Sequence, residues 1–545
     1  MPELQPAEVL AAYPPHADTL PTLLASRVAV VPDKSVLEFE GRVWSYAALD
    51  EVSTQLAQAA AQRDVSKGDR IALVSVNTDL SVIIFLAAAK LGALFVPLNP
   101  AATDADLEYL LGHSRPSVVV CQPDEVERIR SICDALDDGS IRVIDLNELG
   151  LGAADAETLG ASIARLVPST ERVELAEIGP DDPLVVIYTS GTTGFPKGAV
   201  HTQRNYVLAG ESFVARMHLQ PEDRLLALLP FFHINALFYS LGGALAAGAT
   251  LITARRFSAS QFWRFAAQTR ATEFNFLAAV GSILLKRPRS EFDPAHRIRK
   301  MYGAPITAEM LRVFTDEFRV PHVIEGYGMT EIPGAACNPF CGPHKLASIG
   351  VPAVHPRFPG DFSALRVEDD DGRELPAGEV GELLVRTPIV FKEYLNDPEQ
   401  TAAAFRNGWF LTGDLVKRDA DGYFFFVARK KDIIRRRGEN ISGAELDRVV
   451  SSHPQVLEAA AIGVPSELGE EEIMVVVVRK PDAPALQAAD IVSWCRSHLA
   501  PMKVPRYVSF AESLPHTPSH RVAKHRLKGQ PDLLAAAIDT ERPLA

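Results

Sequence analysis

The chain has 545 residues, 47% of them hydrophobic and 23% charged, which is enough for two or more domains with substantial cores. Its 55 basic and 69 acidic residues give a net charge of −14, which argues against a nucleic-acid-binding surface. Five cysteines without regular spacing argue against a disulfide framework and fit a reducing cytosol, and Cys337 and Cys341 have no second pair nearby to make a zinc site. No basic-then-apolar signal pattern surrounds Pro14-Pro15, and no apolar run reaches about 18 residues, so a cytoplasmic protein without a membrane span is expected.

Residues 34–46 read as a hairpin turning at Glu40-Gly41. A helix over 47–62, a turn at Lys67-Gly68-Asp69, a strand over 71–76, a helix over 82–91 and an extended piece over 95–98 follow. Val118–Cys121 and Arg142–Asp145 continue the alternation, which predicts βαβ units and a mostly parallel sheet. Residues 149–182 contain Gly, Ala, Asp and Pro with weak periodicity and read as a seam between two subdomains.

Leu184-Val-Val-Ile187 is a short β-branched run after Asp-Asp-Pro and reads as a buried strand. It feeds Tyr188-Thr-Ser-Gly-Thr-Thr-Gly-Phe-Pro-Lys197-Gly198, a loop with three glycines and four hydroxyl residues. Backbone N–H groups and hydroxyls at this density can wrap a polyphosphate, and Lys197 adds positive charge. A Walker A pattern cannot be laid over these residues. The stretch resembles the phosphate loop of the adenylate-forming superfamily, which includes acyl-CoA synthetases, luciferases and the adenylation domains of peptide synthetases. That resemblance extends over nearly the whole chain and implies that Thr189, Ser190, Gly191, Thr192, Thr193, Gly194 and Lys197 bind ATP.

Phe232, His233 and Asn235 follow in an aromatic-His loop, which family members carry at the mouth of the acyl pocket. They are read as pocket residues with no proton-transfer role. Residues 273–280 read as a strand, with Asn275 facing the same pocket; Val280-Gly281 stands where most relatives have a Pro-rich turn, a departure that resembles the carnitine- and crotonobetaine-type ligases. Gly303-Ala304-Pro305 and Glu325-Gly-Tyr-Gly-Met-Thr-Glu331 come next. Tyr327 between two glycines suits stacking on adenine, and Glu331 suits a Mg²⁺ that bridges phosphate oxygens. The resemblance assigns Gly303, Ala304, Pro305, Glu325 and Tyr327 to the nucleotide, Gly328 and Met329 to the acyl pocket, and Thr330 and Glu331 to catalysis.

Residues 364–428 alternate in short strands with Gly and Asp turns, which suggests a small β-barrel subdomain over about 340–428. Asp414 follows Thr-Gly at a turn, where its carboxylate could accept from a ribose diol; the family places such an Asp on the AMP ribose. Six of the ten residues from Ala428 are basic, a cationic surface suited to nucleotide and CoA phosphates. By resemblance Arg429 contacts the ribose, Lys431 is the interdomain hinge and Gly438 lies in a loop that moves toward the pantetheine tunnel. A helix over 443–452, strands over 459–463 and 473–478 and a helix over 488–499 make a compact α+β domain.

The family segment that normally ends Thr/Ser-Gly-Lys here has His520 and Arg521 in the last two positions, with Lys524 three residues on. Either Arg521 or Lys524 holds the acyl carboxylate near the α-phosphate, and Arg for Lys is not a conservative exchange. The resemblance therefore implies an α/β fold. Residues 1–430 would form a large N-terminal AMP-binding domain of layered βαβ subdomains plus the small barrel, and residues 431–545 a mobile C-terminal α+β domain. The implied activity is ATP- and Mg²⁺-dependent conversion of a small carboxylic acid to an acyl-adenylate with pyrophosphate release, then transfer to CoA. With no carrier site evident after residue 530, a free acceptor is expected. The altered Gly-Lys site keeps open an amine, a carrier-protein thiol, or nitrite-dependent diazotisation of an aryl amine, and a nucleotide-binding protein without turnover. A second copy of the chain is the macromolecular partner left open.

Overall fold

The computed structural model describes residues 3–136, 139, 141–167, 173–189, 196–360, 362–436, 439–466, 471–481, 483, 485–516, 522–530 and 532–541. The chain divides into two compact units: Met1–Thr189, Pro196–Leu365 and Val385–Phe410 in the first, and Arg366–Leu384 and Leu411–Ala545 in the second.

The first unit is built on two twisted sheets. The seven-stranded sheet has the order Glu393–Tyr394, Lys197–Thr202, Pro183–Thr189, Leu94–Leu98, Arg70–Val74, Val118–Cys121, Arg142–Asp145. Its last five strands are parallel; Lys197–Thr202 turns back against Pro183–Thr189, and Glu393–Tyr394 is antiparallel to it. The nine-stranded sheet carries a parallel centre that includes Glu273–Leu277, Lys300–Ala304 and His322–Met329, with Ile332–Cys337 antiparallel beside the last. Parallel strands must be covered on both faces, and the continuous apolar runs Leu94–Leu98 and Val118–Cys121 are buried throughout.

Two helices show how the sequence builds this core. Asp79–Leu91 is capped by Thr78, which exchanges hydrogen bonds with Ser81, and ends at Gly92 in the left-handed region (φ 71°). It is apolar all round and all but Lys90 of it is buried, the signature of a core helix. Gln203–Met217 has a similar reciprocal cap, Thr-x-x-Asn, from Thr202 and Asn205, and every residue but Arg204 is buried, including Glu211 and Arg216. Its polar residues mark positions where the interior must supply partners.

The second unit takes in most of a curled five-stranded sheet, ordered Ala364–Glu368, Val380–Arg386, Trp409–Arg418, Phe405–Arg406, with Phe424–Arg429 also paired to Trp409–Arg418. Its C-terminal part packs helices Gly443–Ser451 and Ala488–His498 on a sheet of Val456–Pro465, Glu471–Arg479, Tyr507–Ala511 and Ile538–Asp539. The expected α/β fold, with its curled sheet and α+β C-terminal part, is present.

Some boundaries differ from expectation. The strand read over 273–280 stops at Leu277, and Ala278–Lys286 is helical, so the Val280-Gly281 departure falls inside a helix. The seam over 149–182 contains the helix Ala156–Ala164, capped by the Asp155 carboxylate on Thr158 N–H and anchored by buried Leu159 and Ile163. Its small residues give little periodicity. Among the described residues no helix is long and apolar enough to cross a membrane. The five cysteines form no disulfide, and four are buried.

Candidate active site

The expected phosphate loop joins two antiparallel strands, with Thr189 paired to Lys197 and Tyr188 to Gly198. Ser190, Gly191, Thr192, Thr193 and Gly194 lie outside the described residues. The base of the loop is fixed from the side by helix Asp104–Ser114. Tyr109 Oη donates to Pro196 O at 3.1 Å, and His113 Nδ1 lies 2.8 Å from Tyr188 Oη. The helix thus grips both strands where the loop begins and ends.

Lys197 and Glu331 are drawn together by a residue that sequence reasoning missed. Lys197 Nζ sits 4.8 Å from the ring centroid of Tyr394, a cation–π contact, and Tyr394 Oη donates to Glu331 Oε1 at 2.8 Å. Tyr394 is placed there by its pairing with Ala199, two residues past Lys197. The Glu331 backbone is pinned as well, its carbonyl accepting from Phe391 N–H at 2.8 Å. A second missed residue, His201, sits on the strand leaving the loop. It is fully buried, which lowers its pKa to about 4, so it is neutral and its Nε2–H donates to Thr330 O at 2.7 Å. The strand that begins at Lys197 therefore carries His201, which holds Thr330, and pairs with the strand that carries Tyr394, which holds Glu331. Neither Tyr394 nor His201 stands in a local motif: Tyr394 is placed by strand pairing and His201 acts through a side-chain hydrogen bond, both across long sequence separations.

Glu331 is 6% exposed, and one of its oxygens takes the Tyr394 hydroxyl. Among the described residues no group of three or more His, Cys, Asp or Glu could hold a metal ion. One fixed carboxylate is nonetheless the donor set that suits Mg²⁺, which keeps several waters and takes phosphate oxygens.

The expected nucleotide wall lies on adjacent parallel strands. Phe276, Gly303 and Glu325 are register partners in turn, so Gly303-Ala304-Pro305 runs beside Glu325 and Tyr327. Burial pushes the Glu325 carboxyl up to about 7, although Ile306 N–H, donated at 3.1 Å, pulls it partly back. The group binds its proton more tightly folded than unfolded (4.5), so its contribution to stability is full below pH 4.5 and lost as pH rises to about 7. Glu325→Gln keeps the acceptor for Ile306. It is expected to be more stable than wild type by about 3 kcal/mol above pH 7, with the difference vanishing near pH 4.5, measured by urea unfolding of the nucleotide-free protein across that range.

The acyl-pocket candidates also converge within this unit. The Phe232 and His233 rings lie 4.6 Å apart, and Asn235 opens the π-helical turn Asn235–Leu241. Asn275 Nδ2 donates to Ser240 Oγ of that turn at 2.9 Å. Gly328 admits no side chain, since a Cβ there would stand 2.6 Å from Tyr239 Oη and 2.7 Å from Gly334 N. Met329 closes the strand His322–Met329.

In the second unit, Asp414 and Arg429 are cross-strand partners, and Arg429 Nε stands 2.7 Å from Asp414 Oδ1. The two residues expected at the ribose are thus neighbours, with Asp414 buried. The Lys431 backbone lies in the single turn Lys430–Asp432, while Gly438, His520 and Arg521 lie outside the described residues. Lys524 Nζ is ion-paired at 2.6 Å to Asp447 Oδ2 on helix Gly443–Ser451.

Comparisons with known proteins agree with this geometry. The chain is 35% identical to the sulfoacetate–CoA ligase of Cupriavidus necator over 518 residues, which is 94% of this chain and 97% of that protein. It is 30% identical to the crotonobetaine/carnitine–CoA ligase of Salmonella paratyphi A, over 92% of this chain and 96% of that one. Among solved structures, ATP-bound MatB from Rhodopseudomonas palustris superposes with a TM-score of 0.80 at 28% identity, covering 93% of this chain and 98% of its own. The O-succinylbenzoate coenzyme A synthetase of Bacillus subtilis in complex with AMP gives 0.79 at 26% identity, covering 93% and 98%. The C-terminal domain of AMP-binding enzymes matches residues 445–521. The family of AMP-binding enzymes matches residues 24–395, and this chain belongs to it.

Proposed function

We propose that the chain is an ATP-dependent acid–CoA ligase that first converts a carboxylic acid to its acyl-adenylate, releasing pyrophosphate, and then transfers the acyl group to the CoA thiol. The observation that carries this reading is the line from Lys197 through Tyr394 to Glu331 at the foot of a hydroxyl-rich loop. It places a cation over the face of one phenol and a carboxylate at its hydroxyl, beside each other at the base of the loop. The names of the relatives, CoA ligases along their whole length, favour CoA as acceptor.

In this reading Thr189, Ser190, Gly191, Thr192, Thr193, Gly194 and Lys197 hold β- and γ-phosphate oxygens. Glu331 would hold Mg²⁺, which supplies charge neutralisation on the triphosphate when bound. Tyr394 and His201 keep Glu331 and Thr330 in place. Gly303, Ala304, Pro305, Glu325 and Tyr327 receive the adenine, Asp414 and Arg429 the ribose, and Phe232, His233, Asn235, Asn275, Gly328 and Met329 the acid. Arg521 steadies the negative charge that builds as the carboxylate attacks the α-phosphorus, since Lys524 already serves Asp447. Catalysis of this kind is positioning and charge stabilisation. A boundary near residue 430, with Lys431 as pivot and Gly438 brought toward the thiol, then changes the site from adenylation to thioester formation.

The test is incubation of the protein with ATP, Mg²⁺ and a panel of carboxylic acids, with and without CoA. Pyrophosphate and an acyl-CoA are expected together. Pyrophosphate with no thioester for any acid would overturn the choice of acceptor. Five cysteines outside any disulfide support a cytosolic setting, and sizing against the 59.2 kDa chain mass tests a homodimer.

A further inference from the structure

Arg216 lies near the end of helix Gln203–Met217, where a basic residue ordinarily faces water, yet it is 1% exposed. Its Nη1 donates to Tyr302 Oη at 3.1 Å, while Nε and Nη2 are buried and make no hydrogen bond. The guanidinium stands 4.8 Å from the Tyr239 ring centroid, 5.2 Å from Phe213 and 5.6 Å from Tyr302. The groups that act on its charge are Tyr302, Tyr239, whose hydroxyl also lies within hydrogen-bonding reach of the guanidinium, and Cys337; burial keeps all three neutral, pushing the Cys337 thiol up to about 11. Among the described residues no carboxylate pairs with it. Aromatic faces replace part of the lost hydration, but a guanidinium stays charged at any working pH and a buried charge calls for a counter-charge.

The same wall borders the acyl pocket. Tyr302 is the strand partner of Asn275, and Tyr239 Oη is the atom that a side chain on Gly328 would strike. Gly334 (φ +85°) lets the guanidinium lie directly against the backbone, since a Cβ there would come within 2.0 Å of Nη1. Asn235 Oδ1 and Asn275 Oδ1 are also buried without a hydrogen-bond partner. A planar cation with donors left over and no carboxylate beside it among the described residues, on the wall that borders the acyl-pocket candidates, is the group that takes a planar or tetrahedral oxyanion.

We propose that Arg216 is the counter-ion for a second anionic group on the substrate, so that the preferred acids are short and carry a carboxylate or sulfonate at the end remote from the reacting carboxyl. This rests on the ligase reading above and names its substrate class. Arg216 is a specificity residue in this account and takes no part in the bond-making step.

Pyrophosphate release with ATP and Mg²⁺ is measured for malonate, succinate and sulfoacetate against propionate, butyrate and isovalerate. In the wild-type protein the best dianion is expected to exceed the best monoanion at least tenfold in kcat/KM. Arg216→Gln is expected to lower the dianion-to-monoanion ratio at least fiftyfold, with the ATP KM serving as a check on folding. The wild-type comparison alone decides the matter if the variant does not fold. Wild-type preference for monoanions would overturn the assignment, and so would an Arg216→Gln protein in which both classes fall together at constant ratio. Either result leaves the ligase reading standing, whereas pyrophosphate from no acid of either class would overturn that reading and this one with it.

Discussion

Glu331→Ala is expected to lower the rate of acyl-adenylate formation by about a thousandfold, roughly 4 kcal/mol in the barrier, with little change in global stability. The side chain is the buried carboxylate that accepts the Tyr394 hydroxyl, and its removal takes away the oxygen proposed to hold Mg²⁺ against the triphosphate. Stability changes little because Phe391 N–H bonds the Glu331 backbone carbonyl, which the substitution leaves in place. Tyr394→Phe provides the graded comparison. It keeps the ring under Lys197 and removes only the hydroxyl that fixes Glu331, so a loss of about three- to tenfold is expected, with the Mg²⁺ requirement raised. Pyrophosphate release titrated with Mg²⁺ at saturating ATP measures both. An alanine variant within threefold of wild type would remove Glu331 from the site.

The second large effect separates Arg521 from Lys524. Lys524→Ala strands Asp447, whose carboxyl burial already pushes up and whose Oδ1 accepts Ala461 N–H at 2.6 Å. The expected cost is about 2 kcal/mol of stability, less than for a fully buried ion pair because both side chains keep some contact with water. The sign of its pH dependence follows: Asp447 without its partner can take up a proton at low pH, so the variant is penalised more at pH 8 than at pH 5. Adenylation by the folded fraction should survive. Arg521→Ala is expected to do the reverse, with stability unchanged and adenylation at least about tenfold slower than in Lys524→Ala, about 1.4 kcal/mol in the barrier. Unfolding curves at the two pH values, paired with single-turnover adenylate formation, resolve the two. Equal and small effects on adenylation would mean that neither side chain carries the charge.

How far the sequence could be read depended on whether the relevant signal was local. Leu184-Val-Val-Ile187 announced its strand, and the glycines and hydroxyls after it are what the proposed phosphate loop rests on, because composition and order sit in one short window. Gly443–Ser451 and Ala488–His498 were equally visible from their apolar spacing. Helix Ala156–Ala164 was not, since alanine and glycine carry almost no periodicity and only Leu159 and Ile163 reach the core. Tyr394 and His201 could not be found this way. One depends on pairing with Ala199, the other on reaching Thr330, and both partners are remote in sequence. Arg216 misleads for another reason: a basic residue near a helix C-terminus is ordinarily a favourable surface charge, and nothing within that helix reveals that tertiary packing covers every side of it. Local chemistry names the loop, and long-range pairing aims the residues around it.

The most direct test of the adenylation account is exchange of radiolabelled pyrophosphate into ATP, run without CoA in the presence of Mg²⁺ and single carboxylic acids. The account predicts exchange that depends on the acid, is abolished by Glu331→Ala and needs no thiol. Failure of every carboxylate in the panel to drive exchange by the wild-type protein, or equal exchange with and without acid, would contradict it.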